Sequence, residues 1–421
     1  MSISQIDINS LIRLKVPKSI SAFRFLIKGL FSLVPKKLTY RQLKILGIST
    51  SILAIYLYYK QKNKCRKIYK KTKSNVQILT HLALTISKYK PTFYLPWAIT
   101  KILYVEIFRG PKFLLDKQYI TLDDSGDVAI EWFPENFSQM AVDTPIIIFN
   151  LGVCGTSDAP YCQELCSIVL KRKWRMVVVH RRGFGYNNLS NSKFMQKEED
   201  TDLEYVIKKI KEIYQHANLY ILGVSAGANF AAKYLGRLGN NTLIKAFCSI
   251  SNPFNICKVS YNIKTNPRNI LYSKLITRNM SKMLLFHCDN PHFINLLQQK
   301  AFNFEEFKTQ LKNKKNPWEV EKHFIIKFGD HESVYDYHHN ISCEYVLNDI
   351  KVPSLFINNR EDPICSKETI PLDKIYKNDK LILLLVDKGG HIEYLSGNKP
   401  EWWAFDMALE YFKYFENCET K

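Results

Sequence analysis

Six short, predominantly apolar stretches punctuate the middle and end of the chain: 145–149, 176–180, 219–222, 245–250, 354–358 and 381–386. Polar and apolar residues do not alternate within them, so each predicts a strand buried on both faces, as in a parallel sheet. Between the stretches the period changes. Leu203, Val206, Ile207, Ile210 and Ile213 recur at three- and four-residue spacing and predict an amphipathic helix over 200–216. Further helices are expected over 161–171, 228–238 and 402–415, the second ending at Gly239. Strands alternating with helices on this scale predict an α/β fold with a mostly parallel, doubly wound sheet. Ahead of it, 118–122 and 128–133 read as strands joined by the turn Asp123-Asp124-Ser125-Gly126-Asp127, a hairpin signal. From about 254 to 350 the strand signal gives way to helical, Lys- and Asn-rich sequence, a helical cap inserted over the strand ends. The folded domain is placed at 85–415.

The N-terminal pattern differs. Residues 45–59 carry no charge and end in three tyrosines, whereas 1–44 and 60–84 are rich in lysine and arginine. Fifteen residues fall short of the roughly 20 that cross a bilayer upright, but flanking lysines extend the reach and tyrosines suit the interface. No small-residue cleavage site follows, which favours a retained anchor over a cleaved signal. The chain therefore divides into a basic segment (1–44), a single-pass membrane anchor (45–59), a basic linker (60–84) and the large domain. Charge supports the division. The whole chain has 60 Lys+Arg against 39 Asp+Glu, and its first 73 residues hold 17 of the former and a single acid, Asp7. A basic arm beside an apolar stretch suits an anionic membrane better than nucleic acid. Charge counting across 45–59 places the large domain in the cytosol. The ten cysteines form no C-x-x-C pair and no zinc-like cluster, so they read as buried hydrophobes of a reduced protein. Five N-x-S/T sequons (Asn136, Asn188, Asn240, Asn279, Asn340) are what an Asn-rich chain contains by chance.

Candidate chemistry centres on Gly223-Val224-Ser225-Ala226-Gly227, which follows one apolar stretch and opens a helical one. A strand must turn sharply into a helix there, and the glycines let the backbone crowd the serine. Ser225 is the expected nucleophile, lying where orphan helix amides favour developing negative charge. A serine needs a base, and the base needs an orienting acid. Asp362 lies just beyond 354–358 and His391 follows 381–386 in Lys388-Gly389-Gly390-His391, both at expected C-terminal strand ends. Glu361 competes with Asp362 for the acid role. The amides of Val153, in the glycine-bearing loop 150–156, and of Ala226 are the candidate oxyanion donors. No metal site, phosphate loop or dinucleotide fingerprint is evident, and no cofactor is expected. His331 to Asp336 fits H-x-x-x-x-D, a pattern quoted for acyltransferases, and is read as structural because it falls in the cap.

With these residues in place, the chain resembles the α/β-hydrolases, and more narrowly the AB hydrolase 4 family of membrane-anchored lipases and esterases. The resemblance covers most of 85–415. It is carried by Tyr89-Lys90-Pro91-Thr92, Leu151-Gly152-Val153-Cys154-Gly155, His180-Arg181-Arg182-Gly183-Phe184-Gly185, Gly223 to Gly227 running into Lys233-Tyr234-Leu235-Gly236, Val352-Pro353, and Gly389-Gly390-His391. It implies triad roles for Ser225, Asp362 and His391, a lipid ester substrate such as a phospholipid or acylglycerol, and residence in the endoplasmic reticulum or another endomembrane. Members of that family are described with the large domain outside the cytosol, opposite to the charge count, so orientation stays open. Two readings from other classes remain beside this one: an inactive hydrolase fold acting as a binding module at a membrane, and a basic nucleic-acid-associated protein.

Overall fold

The computed structural model describes residues 63–196 and 200–419, together with Ser49. The segments expected at 1–44 and, apart from Ser49, at 45–59 lie outside the described residues. Among the described residues, no helix is long and apolar enough to cross a membrane.

Among the described residues, nine strands form one sheet: β1 (Cys65–Tyr69), β2 (Asp116–Thr121), β3 (Asp127–Phe133), β4 (Ile146–Asn150), β5 (Arg175–Val179), β6 (Leu219–Val224), β7 (Ile244–Ile250), β8 (Ser354–Asn359) and β9 (Leu381–Val386). Their order across the sheet is β1-β9-β8-β7-β6-β4-β5-β3-β2. All pairs from β5 to β9 are parallel, and the hairpin β2–β3 and strand β1 close the two edges antiparallel. A short ribbon, β10 (Leu395–Ser396) with β11 (Glu401–Trp402), stands apart from the sheet. Twelve helices are needed to describe the layers: α1 (Lys73–Ser87), α2 (Ala98–Ile107), α3 (Pro160–Arg172), α4 (Asp200–Ile213), α5 (Ala226–Leu238), α6 (Ile256–Thr265), α7 (Ile270–Phe286), α8 (Pro291–Gln299), α9 (Phe304–Lys312), α10 (Val334–Ile341), α11 (Leu372–Lys377) and α12 (Trp403–Glu419).

The uninterrupted apolar strands are explained by cover on both faces. In β4, Ile147 and Phe149 join a core shared with α1, α3 and α12, while Ile146 and Ile148 point to the opposite core shared with α4 and α5. Successive side chains of a strand leave on opposite faces, so a two-sided sheet demands apolar residues at every position. The insertion between β7 and β8 carries α6 to α10, as expected for a cap, and has its own core in which Met283, Leu284, Phe293, Phe307, Phe324 and Phe328 meet.

The linker expected at 60–84 is corrected by the structure. Residues 65–69 are edge strand β1, paired with β9 from Cys65 opposite Val386 to Tyr69 opposite Ile382, and α1 follows almost at once. Only Ile68 of β1 is buried, so the strand carries little apolar signal, and the lysines and arginine that made it read as a linker are those that suit an exposed edge. Helix α1 starts where the Thr72 side chain accepts from the Asn75 amide, and Asn75 in turn donates at 2.9 Å to Lys70 O and Asp379 O.

Arg175, at the start of β5, is fully buried. Its guanidinium donates to the carbonyls of Phe137 (2.8 Å), Met140 (2.7 Å) and Thr144 (3.3 Å) and lies 4.4 Å from the Tyr214 ring centroid. One side chain thus closes the 137–144 loop onto the sheet. Arg175→Met should lower stability by about 3 kcal/mol, since it leaves buried carbonyls without donors. Urea unfolding of both proteins checks this, and a loss below about 0.5 kcal/mol would mean that the loop finds other donors.

Candidate active site

In this sheet the chain leaves β4 for β5 on one side and returns to place β6 on the other, so the C-terminal ends of β4 and β6 diverge and open a crevice. Two of the loops expected to carry chemistry leave from there. After β6 the chain turns through Ser225, whose φ of 52° and ψ of −126° are unusual for a residue with a side chain, and enters α5 at Ala226. The glycines explain themselves by contact. A Cβ on Gly223 would meet Ala228 Cα at 2.5 Å, and one on Gly227 would collide with the carbonyls of Asn150 and Leu151 at the end of β4. The serine is therefore held in a strained turn by close approach of three backbone segments.

His391 and Asp362 arrive from β9 and β8. His391 Nε2 lies 2.8 Å from Ser225 Oγ, and its Nδ1 lies 2.9 and 3.1 Å from the two Asp362 oxygens. A carboxylate only accepts, so Nδ1 carries the proton and Nε2 is left to accept from the serine hydroxyl. Asp362 is itself fixed, since its Oδ1 accepts from the amides of Ile364 (2.8 Å) and Cys365 (2.9 Å). Glu361 is exposed, whereas Asp362 is buried, so of the two candidate acids the structure brings Asp362 to the histidine. Burial of His391 disfavours its charged form, but the Asp362 carboxylate, with Glu393 adding to it, more than compensates, and the imidazole pKa is raised above its ordinary value.

The roles of Asn359, Ser251, Tyr394 and Tyr89 in positioning the histidine loop escaped the reading of the sequence, in which Tyr89 appears only as part of Tyr89-Lys90-Pro91-Thr92. Asn359 Nδ2 donates to Gly390 O at 2.7 Å, Tyr89 OH donates to Lys388 O at 2.9 Å, and Ser251 Oγ bonds both His391 O and Tyr394 OH. A signal existed for one of them: Asn359 follows the apolar Leu355-Phe356-Ile357 in the pair Asn358-Asn359, and a buried amide at a strand end has to be hydrogen-bonded.

Ser225, Ala226, Val153 and His391 line one cavity of about 530 Å³, a volume in the range of small-molecule sites. Much of its wall comes from the cap, with Val259, Ile263, Met280, Met283 and Trp318 facing inward. Ala226 is the first residue of α5, where an amide has no partner within the helix, and Gly152, next to Val153, comes within 3.5 Å of Ser225 Cβ at the position a Cβ would take. Asp362, His391 and Cys365 also place one ligand-type atom each within 4.8 Å of one another. Both ring nitrogens of His391 are already engaged, and burial pushes the Cys365 thiol well up, away from the thiolate a metal would need. Two further expectations can be placed. His331 lies 3.4 Å from Asp336, which caps the turn into α10 by accepting from the Glu332 amide at 3.2 Å, and neither residue is among those lining the cavity. The nine cysteines from Cys65 to Cys365 are free, six of them buried.

Asp362, His391 and Ser225 thus stand in one hydrogen-bonded line over the C-terminal ends of a parallel sheet. The chain belongs to the α/β hydrolase fold family, whose description matches residues 145–397. Among curated proteins it is similar to "Embryogenesis-associated protein EMB8" of Picea glauca, 24% identical over 76% of this chain and 70% of that protein. It is likewise similar to "Phospholipase ABHD3" of Homo sapiens, 24% identical over 67% of each chain. "Monoacylglycerol lipase" of Saccharomyces cerevisiae is 22% identical over 65% of this chain and 60% of that protein. These relatives agree with the narrower resemblance to the AB hydrolase 4 family.

Proposed function

We propose that the protein is a membrane-associated serine hydrolase that cleaves carboxylic esters of lipids through an acyl-enzyme. The observation that carries this reading is the continuous chain of contacts from Asp362 through His391 to Ser225 Oγ at the floor of a cavity walled by apolar cap residues. Two of the relatives are named phospholipase and monoacylglycerol lipase, which supports a lipid ester as substrate.

The steps follow from the geometry. Ser225 Oγ attacks the ester carbonyl while His391 Nε2 takes its proton, and the adjacent Asp362 carboxylate stabilises the imidazolium that forms. The tetrahedral oxyanion is assigned to the amides of Val153 and Ala226, fixed backbone donors of the kind that stabilise such a charge without reorganisation. Collapse expels the alcohol, which takes the proton from His391. Water then repeats the sequence on the acyl-Ser225 ester and releases the fatty acid. The sequence stretch 45–59, with lysines on either side, is the proposed means of membrane attachment.

Incubation of the purified full chain with a monoacylglycerol and with a phosphatidylcholine, followed by titration of released fatty acid, tests the substrate class. Release from at least one is expected. Turnover of simple amides or phosphate esters with none of either lipid would remove the lipid-ester reading. Because the base must be neutral and its pKa is raised, kcat/KM should fall on the acid side through a midpoint above the ordinary 6.5 of histidine. Glu393 adds to that elevation, so Glu393→Gln should move the acid limb to lower pH. An unmoved limb would mean that Asp362 alone sets it.

A further inference from the structure

We propose that residues 93–114, which include α2, form the face by which the protein docks on a bilayer bearing anionic headgroups, with the cavity mouth turned toward the lipid. The proposal rests on the lipid-ester reading above and deepens it by assigning the surface through which substrate arrives.

The segment is unusual for the outside of a folded domain. Trp97, Ile107 and Phe108 are 60%, 71% and 65% exposed, and Phe93, Tyr94 and Leu103 are exposed as well. Large apolar side chains clustered on so short a stretch mark an interaction surface rather than the scattered exposure normal for a monomer. The rings are in contact with each other: Phe93 stands edge-on to Tyr94 at 5.2 Å, and Tyr104 lies 4.9 Å from Phe108. They form one patch.

Helix α2 also reaches inward. Its Ile102, Val105 and Glu106, with Arg109 just beyond its end, line the cavity that holds Ser225. The same two turns of helix thus present apolar groups to the outside and a wall to the site, so a lipid drawn from a surface against Ile107 and Phe108 would reach the cavity without its chains crossing water.

Charge selects the occupant. Lys88, Lys90, Arg109 and Lys112 are exposed around the patch, and Glu106, paired with Arg109 at 2.7 Å, is the one acid between 88 and 114. Exposed lysines beside aromatic and aliphatic groups fit an anionic lipid interface, where the apolar groups enter the acyl boundary and the cations meet headgroups. Lysine is depleted in protein–protein interfaces, so a second copy of the chain fits this composition less well.

Hydrogen–deuterium exchange on the full chain, with and without vesicles of phosphatidylcholine and phosphatidylserine, tests the proposal. Exchange across 97–110 should slow on vesicles in wild type and equally in Ser225→Ala. A variant carrying Trp97→Ser, Ile107→Ser and Phe108→Ser changes only exposed side chains. It should lose at least about tenfold in turnover of vesicle lipid relative to a soluble butyrate ester, because each exchange removes apolar burial worth roughly that factor in partitioning. Unchanged exchange at 97–110 in vesicle-bound protein, or an unchanged turnover ratio, overturns the proposal. Protection that depends on protein concentration without vesicles also overturns it, in favour of a second copy. If neither ester is turned over while 97–110 is still protected on vesicles, the lipid-ester reading fails and the docking surface stands.

Discussion

Replacing Ser225 by alanine is expected to lower kcat by about a millionfold while leaving KM within a few-fold of wild type. The change deletes the attacking oxygen and little else. The turn at Ser225 is held by the contacts of Gly223 and Gly227 with the neighbouring backbone, none of which involves the hydroxyl, so the elbow and α5 should persist. The cavity walls supplied by the cap are untouched, and with them the apolar contacts that bind a lipid chain. What remains is whatever the preorganised amides and bound geometry do for attack by water, a residue of some thousandfold over the uncatalysed rate. Initial rates on a soluble ester, with a thermal midpoint to show that the fold is intact, measure the effect. A loss of less than about a hundredfold would mean that another group is the nucleophile.

Asp362→Asn should cost about ten-thousandfold in kcat. The carboxamide can donate where the carboxylate only accepted, so Nδ1 of His391 would become the acceptor and Nε2 would carry the proton. Nε2 would then point a hydrogen at Ser225 Oγ and could not take one from it. The distances would barely change, because the Ile364 and Cys365 amides that fix Asp362 can bond the amide oxygen equally well. Glu361→Gln is the control. Its side chain is exposed, so the substitution should alter kcat no more than about twofold. The reverse pattern would move the acid to position 361.

The contrast between these two neighbours shows where the sequence was informative. Both precede Pro363 in a turn after an apolar strand, and nothing in their spacing separates them beyond position. The difference arises from which way the turn of 359–365 points its side chains, a matter of backbone amides at Ile364 and Cys365 that no residue type announces. Ser225 and His391 were legible for the opposite reason. Each sits in glycine-bearing sequence whose glycines leave no room for a Cβ, against backbone around Ser225 and against Asn359 and Glu393 beside His391, and glycine is a visible residue. The central strands were legible because cover on both faces forces unbroken apolar runs, and β9 was found at 381–386 as the structure has it.

One edge was legible and the other was not: the hairpin turn at 123–127 announced β2 and β3, but nothing announced β1. Strand β1 buries Ile68 and little else, so its identity lies in pairing with β9, more than 300 residues later in the chain, and not in its own composition. Helix α1 was hidden similarly. Its apolar positions Ile78, Leu79, Leu82 and Ile86 do recur at helical spacing, but they follow a lysine-rich stretch that reads as linker. The residues that hold the histidine loop, Asn359, Ser251, Tyr394 and Tyr89, are spread along the chain and meet only after folding. Position along the chain gives no warning of such a cluster.

The central claim is that Ser225 is an activated nucleophile, and covalent trapping tests it most directly. The full chain is treated with a fluorophosphonate, digested, and the peptide containing Ser225 is examined by mass spectrometry. Phosphonylation at Ser225 in wild type is expected, with slower labelling in Asp362→Asn and none in Ser225→Ala. A folded wild-type protein that stays unlabelled at Ser225, or labelling that persists elsewhere in Ser225→Ala at the same rate, would contradict it.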